Sequence, residues 1–467
     1  MFLEGKENCR YSGLDPEVAM IFNAMFALCS RFSRSPFFKN TPPKQRGIDF
    51  AQQASISCSD ILRNVDTTTP TLIRLQGLIM LAFYHVTDRP GTSAWLLTGL
   101  CCRLAHELAL NNFDQDIIEG LPCKQLDALE WVERESVRRA WWSLWELDLF
   151  ISDVSNRPPA IAQEQMRVLL PVSDQCWFSE TPISSNHLRC DPESAWKSLY
   201  GSINQDERAW FSVSRYLLWL SFCSKQKPSQ SAQARSTVEL SISCFALSLP
   251  ESFQLGRRCT LIFDDDHFSK SNWIMGTHLM LQALVFLIVC LQFVVLTCLS
   301  RARHHLRGEP SLGPQLACFG PLESDTANFV LEEYEGVLIQ GRREVNDLLK
   351  LCTAWPPEYI PFAMPIVACL ILGPNAVNII STASIPDQNA REMLQLTIAQ
   401  FSKYWDLATL VLSTCPIQKM ALLNKHVDGA SSFRLCVHDP TTIYFAGSSP
   451  PWAKRLAQPL SYALTQG

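Results

Sequence analysis

The sequence predicts an all-α fold, and three observations carry that prediction. Alternating apolar and polar runs flanked by Asn-Gly or Asp-Gly turns are almost absent, which removes the strand signal. Apolar residues recur instead at three- and four-residue spacing along most of the 467 residues. Helix punctuation falls where those runs begin, as at Asp15-Pro16 and at Asp127-Ala-Leu-Glu130. The expected architecture is a large multi-helix body of antiparallel helical hairpins.

The first helix is expected over Asp15 to Arg31, with Asp15 as N-cap and Pro16 at the first helical position, where its missing N–H costs nothing. Val18, Phe22, Met25 and Cys29 mark its expected buried stripe. A second helix over Gly47 to Val65 stops at Thr67-Thr-Thr-Pro70, and a third over Thr71 to His85 stops at Asp88-Arg-Pro-Gly91. The fourth starts near Thr92 and carries Leu97, Leu100, Leu104 and Leu108 on a face expected to pack on the third. After Leu121-Pro122, the capping box at Asp127 opens a long fifth helix to about Val154. Val137, Trp141, Leu144, Asp148 and Ile151 form one stripe of it, and Arg138, Trp142, Trp145 and Leu149 the next.

Three tryptophans within five residues carry too much apolar area for a free surface. Beyond Asn156-Arg-Pro-Pro159 the chain loosens to about Asp206, as a surface crossover would. Helical patterning resumes over Ala209 to Ser224, Ser236 to Leu249, Ser324 to Cys352 and Pro361 to Leu412. From about Gly429 the tail is rich in Ser, Pro and Gly and is expected to be irregular.

An apolar fraction of 47% is enough to fill a sizeable core. A net charge of −5 supplies no positive field for phosphates, which disfavours nucleic-acid binding by the chain as a whole. The 18 cysteines run from Cys9 to Cys436 without the regular spacing of a disulfide scaffold, and read as reduced thiols. Together with an N-terminus lacking a basic and then apolar leader, this points to an intracellular compartment. Leu279 to Leu299 is long and apolar enough to span a bilayer, but Gln282 and Gln292 lie within it, so a helix buried in protein is the expectation.

Motifs that could carry chemistry are incomplete. His106-Glu107 begins a His-Glu-x-x-His zinc helix, but Leu110 stands at the second histidine. Cys101-Cys102 diverge by about 100° on one helix and do not share a metal easily. Asp264-Asp-Asp266 could hold magnesium for diphosphate chemistry, with Asn346-Asp347 as the nearest second motif, yet Lys350 and Ala354 replace the remaining ligands. His304-His305 beside Arg301, Arg303 and Arg307 reads as a solvated basic helix end. No Gly-x-Ser-x-Gly elbow, phosphate-binding loop or dinucleotide fingerprint occurs, so catalysis is not expected. The alternatives are a helical magnesium-dependent diphosphate enzyme, or a protein attached to a membrane through 279–299.

Two segments resemble the fungal-specific transcription factor domain, the middle homology region of fungal zinc-cluster regulators. One is Leu75 to Tyr84 followed by Ala94 to Leu110, similar to an apolar helix, a short turn and a helix ending in Arg-x-Ala-x-x-Leu-Gly-Leu. The other is Glu135 to Phe150, with Arg138-Arg-Ala-Trp-Trp142 and Asp148, then Asn156-Arg-Pro-Pro-Ala-Ile161 and Leu170-Pro171. The resemblance is specific over about Leu14 to Trp177 and compatible to about residue 425. It divides the chain into a signature region over 14–177, a crossover over 178–208, a helical remainder over 209–428 and a tail over 429–467. Departures are Ala109 where the family often has Gly, Asn156 at the turn glycine, and the zinc cluster, since no Cys-x2-Cys pair occurs.

The resemblance implies a regulatory domain acting on RNA polymerase II transcription, of a metabolic gene cluster for example, in the nucleus. Its partners would be proteins of the transcription machinery or a small-molecule inducer, and no membrane. DNA would be contacted only through an upstream zinc cluster, which is also where zinc is expected; no cofactor is expected in this chain. The signature residues Trp95, Arg103, Arg138, Arg139, Trp141, Trp142, Asp148, Arg157 and Pro158 are expected to be structural. Asp148 lies on an otherwise apolar stripe, so it should be buried and paired with an arginine such as Arg103 or Arg157, fixing how the fourth and fifth helices cross.

Overall fold

The structure is a computed structural model describing residues 15–64, 69–121, 127–155, 157–226, 232–255, 261–285, 324–371 and 388–414. Among these, all regular structure is helical, with a single isolated bridge between Leu169 and His187. The helices are α1 (Pro16–Cys29), α2 (Ile48–Arg63), α3 (Leu72–Asp88), α4 (Thr92–Glu107), α5 (Gln115–Ile118), α6 (Ala128–Ser155) and α7 (Asp174–Phe178). There follow α8 (Glu207–Gln226), α9 (Ala232–Ser248), α10 over 268–285, α11 (Ser324–Ala354), α12 (Ala368–Ile371), α13 (Gln388–Ser402) and α14 (Asp406–Thr414).

The N-caps read from the sequence form as expected. Asp15 accepts from the Glu17 N–H at 2.8 Å ahead of Pro16. Asp127 and Glu130 exchange reciprocal bonds, Glu130 N–H to Asp127 Oδ1 at 2.8 Å and Asp127 N–H to Glu130 Oε2 at 3.2 Å.

Long-range pairs give the helix directions. Glu17 receives Arg74 Nη2 at 2.6 Å, and Arg31 lies 5.8 Å from the Tyr84 ring, so α1 and α3 run parallel. α2 runs back against α1, and its entry is tight: a Cβ on Gly47 would stand 2.1 Å from the Ala27 carbonyl oxygen. α4 crosses α6 in the opposite sense, since Cys102 meets Asp148 while the His106 ring lies edge-on to Trp141 at 6.0 Å. α6 and α8 run parallel, because Ser143, Glu146 and Asp153 meet Arg208, Ser212 and Arg215 in the same order. Parallel neighbours need a long connection, which residues 156–206 supply. α10 and α11 are antiparallel, with Asn272 bonded to Trp355 and Gln282 to Glu344.

Four sequence expectations are corrected by packing. On α1 the buried stripe is Met20, Asn23, Ala24 and Ala27, while Phe22 and Met25 are 40% and 39% exposed and Cys29 is exposed. α1 packs between α2 and α3, and the alanines Ala24 and Ala27 together with Gly77 let the helices approach closely; a Cβ on Gly77 would meet Met20 Cε at 2.9 Å. On α4 the buried face is Ala94, Thr98, Cys101, Cys102, Leu104 and Ala105, with Leu97, Leu100 and Leu108 flanking it half-buried, because α6 covers the side that α3 leaves. The described part of Pro361 to Leu412 begins with two 3-10 turns, Ile360–Phe362 and Pro365–Val367, each with a proline in its first two positions, before the helices α12, α13 and α14. The 178–208 crossover is only partly superficial: Phe178, Tyr200 and Ile203 are exposed, but Leu188, Ala195, Ser198, Leu199 and Asn204 are buried.

In the apolar run beginning at Leu279, residues 279–285 belong to α10, with Leu279, Met280 and Leu284 buried. Gln282 Nε2 donates to Glu344 Oε2 at 2.6 Å and to the Glu344 carbonyl at 2.9 Å, partners that lipid would not supply. Residues 286–299, the His304-His305 pair, Asn156 and the 429–467 tail lie outside the described residues. Among the described residues no helix is long and apolar enough to cross a membrane.

Candidate functional site

The signature helix α6 is held by two fully buried carboxylates. Asp114, just beyond the turn that ends α4, receives Arg138 Nε at 2.8 Å and Nη2 at 2.7 Å in a two-pronged fork. Arg134 Nη2 at 2.9 Å and the Leu169 N–H at 3.0 Å complete its shell. Burial works to raise the Asp114 carboxyl, but the bonds and charge of Arg138, the Leu169 N–H and Arg134 outweigh it and hold the group below the usual carboxylate range.

Glu135, on the same helix, accepts from the Val172 N–H at 2.9 Å and forms an ion pair with Arg139, whose Nε lies 3.3 Å away. Here burial wins and pushes the carboxyl up, against the Val172 N–H and the two arginines. Arg139 also bonds Asp174 and the Val172 carbonyl (2.7 Å), and its guanidinium lies 4.3 Å over the Trp177 ring. Asp114 and Glu135 therefore pin the returning segment 169–174 along α6 through backbone N–H groups.

The three tryptophans fill the interior as their spacing predicts, each with no exposed surface. Trp142 Nε1 donates to the Leu169 carbonyl at 2.7 Å, and Trp145 Nε1 to Gln163 Oε1 at 2.6 Å. Trp141 Nε1 is buried without a hydrogen-bond partner among the described residues.

Asp148 is buried, as expected, but its partner is not an arginine. Its Oδ2 accepts the backbone N–H groups of Ala160 (2.9 Å) and Ile161 (3.0 Å), and the Cys102 thiol donates to it. Burial raises its carboxyl, with those donors opposing. Arg103 points outward, bonding the Gly99 carbonyl at 3.1 Å, and Arg157 lies 4.1 Å over the Trp95 ring. The expected pairing fails because two adjacent N–H groups in the turn after Pro158 satisfy the carboxylate without desolvating a second ion. Pro158 itself is exposed, its carbonyl facing Ser152 Oγ at 3.5 Å.

A second polar seam joins α6 to α8. Arg208 Nη2 donates to Ser143 Oγ at 2.8 Å, Ser212 Oγ to Glu146 Oε1 at 2.8 Å, and Arg215 Nη2 to Asp153 Oδ2 at 2.6 Å. Burial pushes Glu146 up, against Arg208, Ser212 and Arg215. Arg208 Nε and Arg215 Nη1 stay buried with no acceptor among the described residues.

The remaining motif residues are used locally. Asp264 caps its own turn, accepting from the Asp266 and His267 N–H groups at 3.0 and 2.8 Å and meeting His267 Nδ1 at 2.7 Å. His267 holds the Asp264 carboxyl below its usual range. Asp347 pairs with Lys350 at 2.6 Å, and His106 Nδ1 meets the Cys102 carbonyl at 2.7 Å. Cys101 and Cys102 are buried, and burial raises both thiols far above the ordinary thiol value. Among the described residues no group of three or more His, Cys, Asp or Glu is placed to hold a metal ion.

The sequence reading missed Asp114, and it quoted Glu135 without giving it a role. Ala109 explains one departure in the signature: it sits at φ +54°, the left-handed conformation in which glycine is favoured at the end of a helix.

Comparison with known proteins gives a family match to the fungal specific transcription factor domain over residues 6–251. Relatives include a Zn(2)-C6 fungal-type transcription factor of Fusarium oxysporum f. sp. lycopersici, 26% identical over 35% of this chain and 17% of the relative. A negative regulator of pleiotropic drug resistance from Candida glabrata is 33% identical over 24% of this chain and 10% of the relative. A pigment biosynthesis transcriptional activator of Monascus ruber is 27% identical over 35% of this chain and 29% of the relative. The matched segments thus span less than a third of each of these relatives. No solved structure matches. With more than half of its length under the family model, and the signature helix clamped as described, this chain belongs to the fungal specific transcription factor domain family.

Proposed function

We propose that this chain is the regulatory body of a fungal transcription regulator, acting on RNA polymerase II transcription in the nucleus through protein partners of the transcription machinery. The observation that carries the reading is the family match over 6–251, which contains α6, both of its buried carboxylate anchors and the 169–174 segment they hold. DNA contact is assigned to a zinc cluster outside this chain, and zinc to that cluster, because the net charge of −5 offers phosphates no general attraction. Relatives named for pigment biosynthesis and for drug resistance support a regulatory role without choosing the target genes.

The test is to tether the whole chain to an unrelated DNA-binding domain in a fungal cell and measure a reporter downstream of that domain's site. Raised or lowered output relative to the tether alone is expected. Unchanged output from a nuclear, stably accumulated fusion would remove the proposal. Binding of a small-molecule inducer is a second reading, favoured by the unpartnered Arg208 and Arg215 donors between α6 and α8. A rise in melting temperature with succinate that is absent in Arg208→Met is expected on that reading, and no rise with either chain would dismiss it for dicarboxylates.

A further inference from the structure

On the face formed where α10 begins, the Ile360–Phe362 turn and the N-terminal segment meet, aromatic rings lie in a row. Phe263 stands 5.7 Å from Tyr359, Tyr359 5.6 Å from Phe268, Phe268 5.3 Å from Phe362, and Phe362 4.8 Å from Phe32. None of the five is buried: Phe362 is 48% exposed and the others are half-buried. The row has a fixed base, since Asn272 Nδ2 donates to the Tyr359 carbonyl at 3.1 Å and its Oδ1 accepts from buried Trp355 at 2.9 Å.

At the Phe263, Tyr359 and Phe268 end of this row the exposed charges are mainly negative. Asp264, Asp265 and Asp266 sit between Phe263 and Phe268, and Glu358 adjoins Tyr359; all four are exposed. Beside the carboxylates, His267 Nδ1 meets Asp264 and Lys270 pairs with Glu207 at 2.8 Å. Asp265, Asp266 and Glu358 make no ion pair with any described residue. Partial burial, together with the charges of Asp265, Glu358 and Asp264, raises the Tyr359 phenol, which places those carboxylates within electrostatic reach of the ring.

We infer that this aromatic row with its carboxylate rim is a docking surface for a lysine- and arginine-bearing segment of a partner protein. The exposed parts of the rings, Phe362 foremost, give the aliphatic stems of lysine and arginine an apolar contact, and the neighbouring carboxylates add Coulomb attraction to their cationic heads. The rim repels nucleic acid and acidic peptides, so charge complementarity selects a basic polypeptide. Four ring-to-ring steps of 4.8 to 5.7 Å reach at most the length of about six extended residues.

The experiment uses the full chain and a labelled eight-residue peptide alternating arginine with serine, followed by fluorescence anisotropy. Saturable binding that weakens with added salt is expected. The triple substitution Asp265→Asn, Asp266→Asn, Glu358→Gln is expected to weaken it about fivefold, from loss of exposed charge. Phe362→Ala is expected to weaken it as well, and Asp60→Asn on the remote α2 surface to leave it unchanged. Because the three acidic positions are exposed, that variant decides the matter even if Phe362→Ala disturbs folding. Equal binding by the triple variant, no binding of the basic peptide, or preferential binding of a glutamate-serine peptide or duplex DNA would each overturn the inference.

Discussion

Two regions of this molecule bury charge, and they do it in opposite ways. Around α6, Asp114 is enclosed but meets a forked arginine, a second arginine and a backbone N–H, and its carboxyl is held below its usual range. Where the N-terminal segment meets the start of α14, Arg31 is enclosed with no carboxylate in contact. Its guanidinium lies 3.9 Å over the Trp405 ring and donates to the carbonyls of Tyr404 (3.1 Å) and Ala27 (3.3 Å). Burial lowers its pKa to about 10, against the more distant charges of Tyr84, Asp88 and Asp406. The shifts have opposite meanings: the charged form of Asp114 is favoured by the fold, whereas that of Arg31 is tolerated. Charge is stabilising at the first site and serves mainly to join distant segments at the second.

The sharpest test of that contrast is Asp114→Ala. It leaves Arg138 enclosed with only Glu135 at 3.5 Å and frees the Leu169 N–H, so unfolding in urea should show a loss of about 3–5 kcal/mol. A loss under about 1 kcal/mol would show that the fork is not what holds the 169–174 return.

Acid should reveal the same asymmetry. The folded pKa of Asp114 is depressed, so its contribution is full above the unfolded value near 4 and disappears as pH falls through the folded one. Asp206, which burial pushes up to about 6, acts with the opposite sign: its folded form holds a proton more tightly, and stability is lost as pH rises through about 6. Melting temperature should therefore peak between these limits, and Asp206→Asn should flatten the alkaline side alone.

Next in size is Ala109→Gly, at the turn leading from α4 toward Asp114. Relieving a left-handed alanine should stabilise by about 1 kcal/mol, read as a shift in the urea midpoint. No shift would mean the turn is already relaxed. The smallest effect is expected for Arg31→Met, within about 1 kcal/mol of the parent, because an apolar chain of similar length removes the burial penalty along with the bonds. A loss comparable to that of Asp114→Ala would erase the distinction between the two regions.

Local signals carried most of the helix plan. The caps at Asp15 and Asp127, the breakers at Pro70 and Pro90 and the tryptophan stripe of α6 are decided within a few residues, and all appear where the sequence places them. Faces were less legible. A rule that seeks large apolar side chains selects Phe22 and Met25 on α1, yet a helix packed between two others buries Ala24 and Ala27. The same rule favours the leucines of α4 over Cys101, Cys102 and Ala105.

The polar site was least legible, because its decisive partners are backbone groups. Nothing in a sequence marks the N–H of Leu169, Val172, Ala160 or Ile161 as a ligand for a particular carboxylate. Asp148 was legible as buried, but only the path of the 157–161 turn shows why neither Arg103 nor Arg157 pairs with it.

The Arg31 contact also sets a timetable. Its hydrogen bond to the Tyr404 carbonyl joins residues 373 positions apart. At translation rates of about 5–20 residues per second, the N-terminal helix leaves the ribosome roughly 20 to 75 seconds before its final neighbour is synthesised. During that interval the Phe32 ring lacks Phe362, Tyr404 and Trp405, and is open to any chaperone that reads exposed aromatic surface. Nascent chains of this protein should depend on such binding until the α14 segment has emerged.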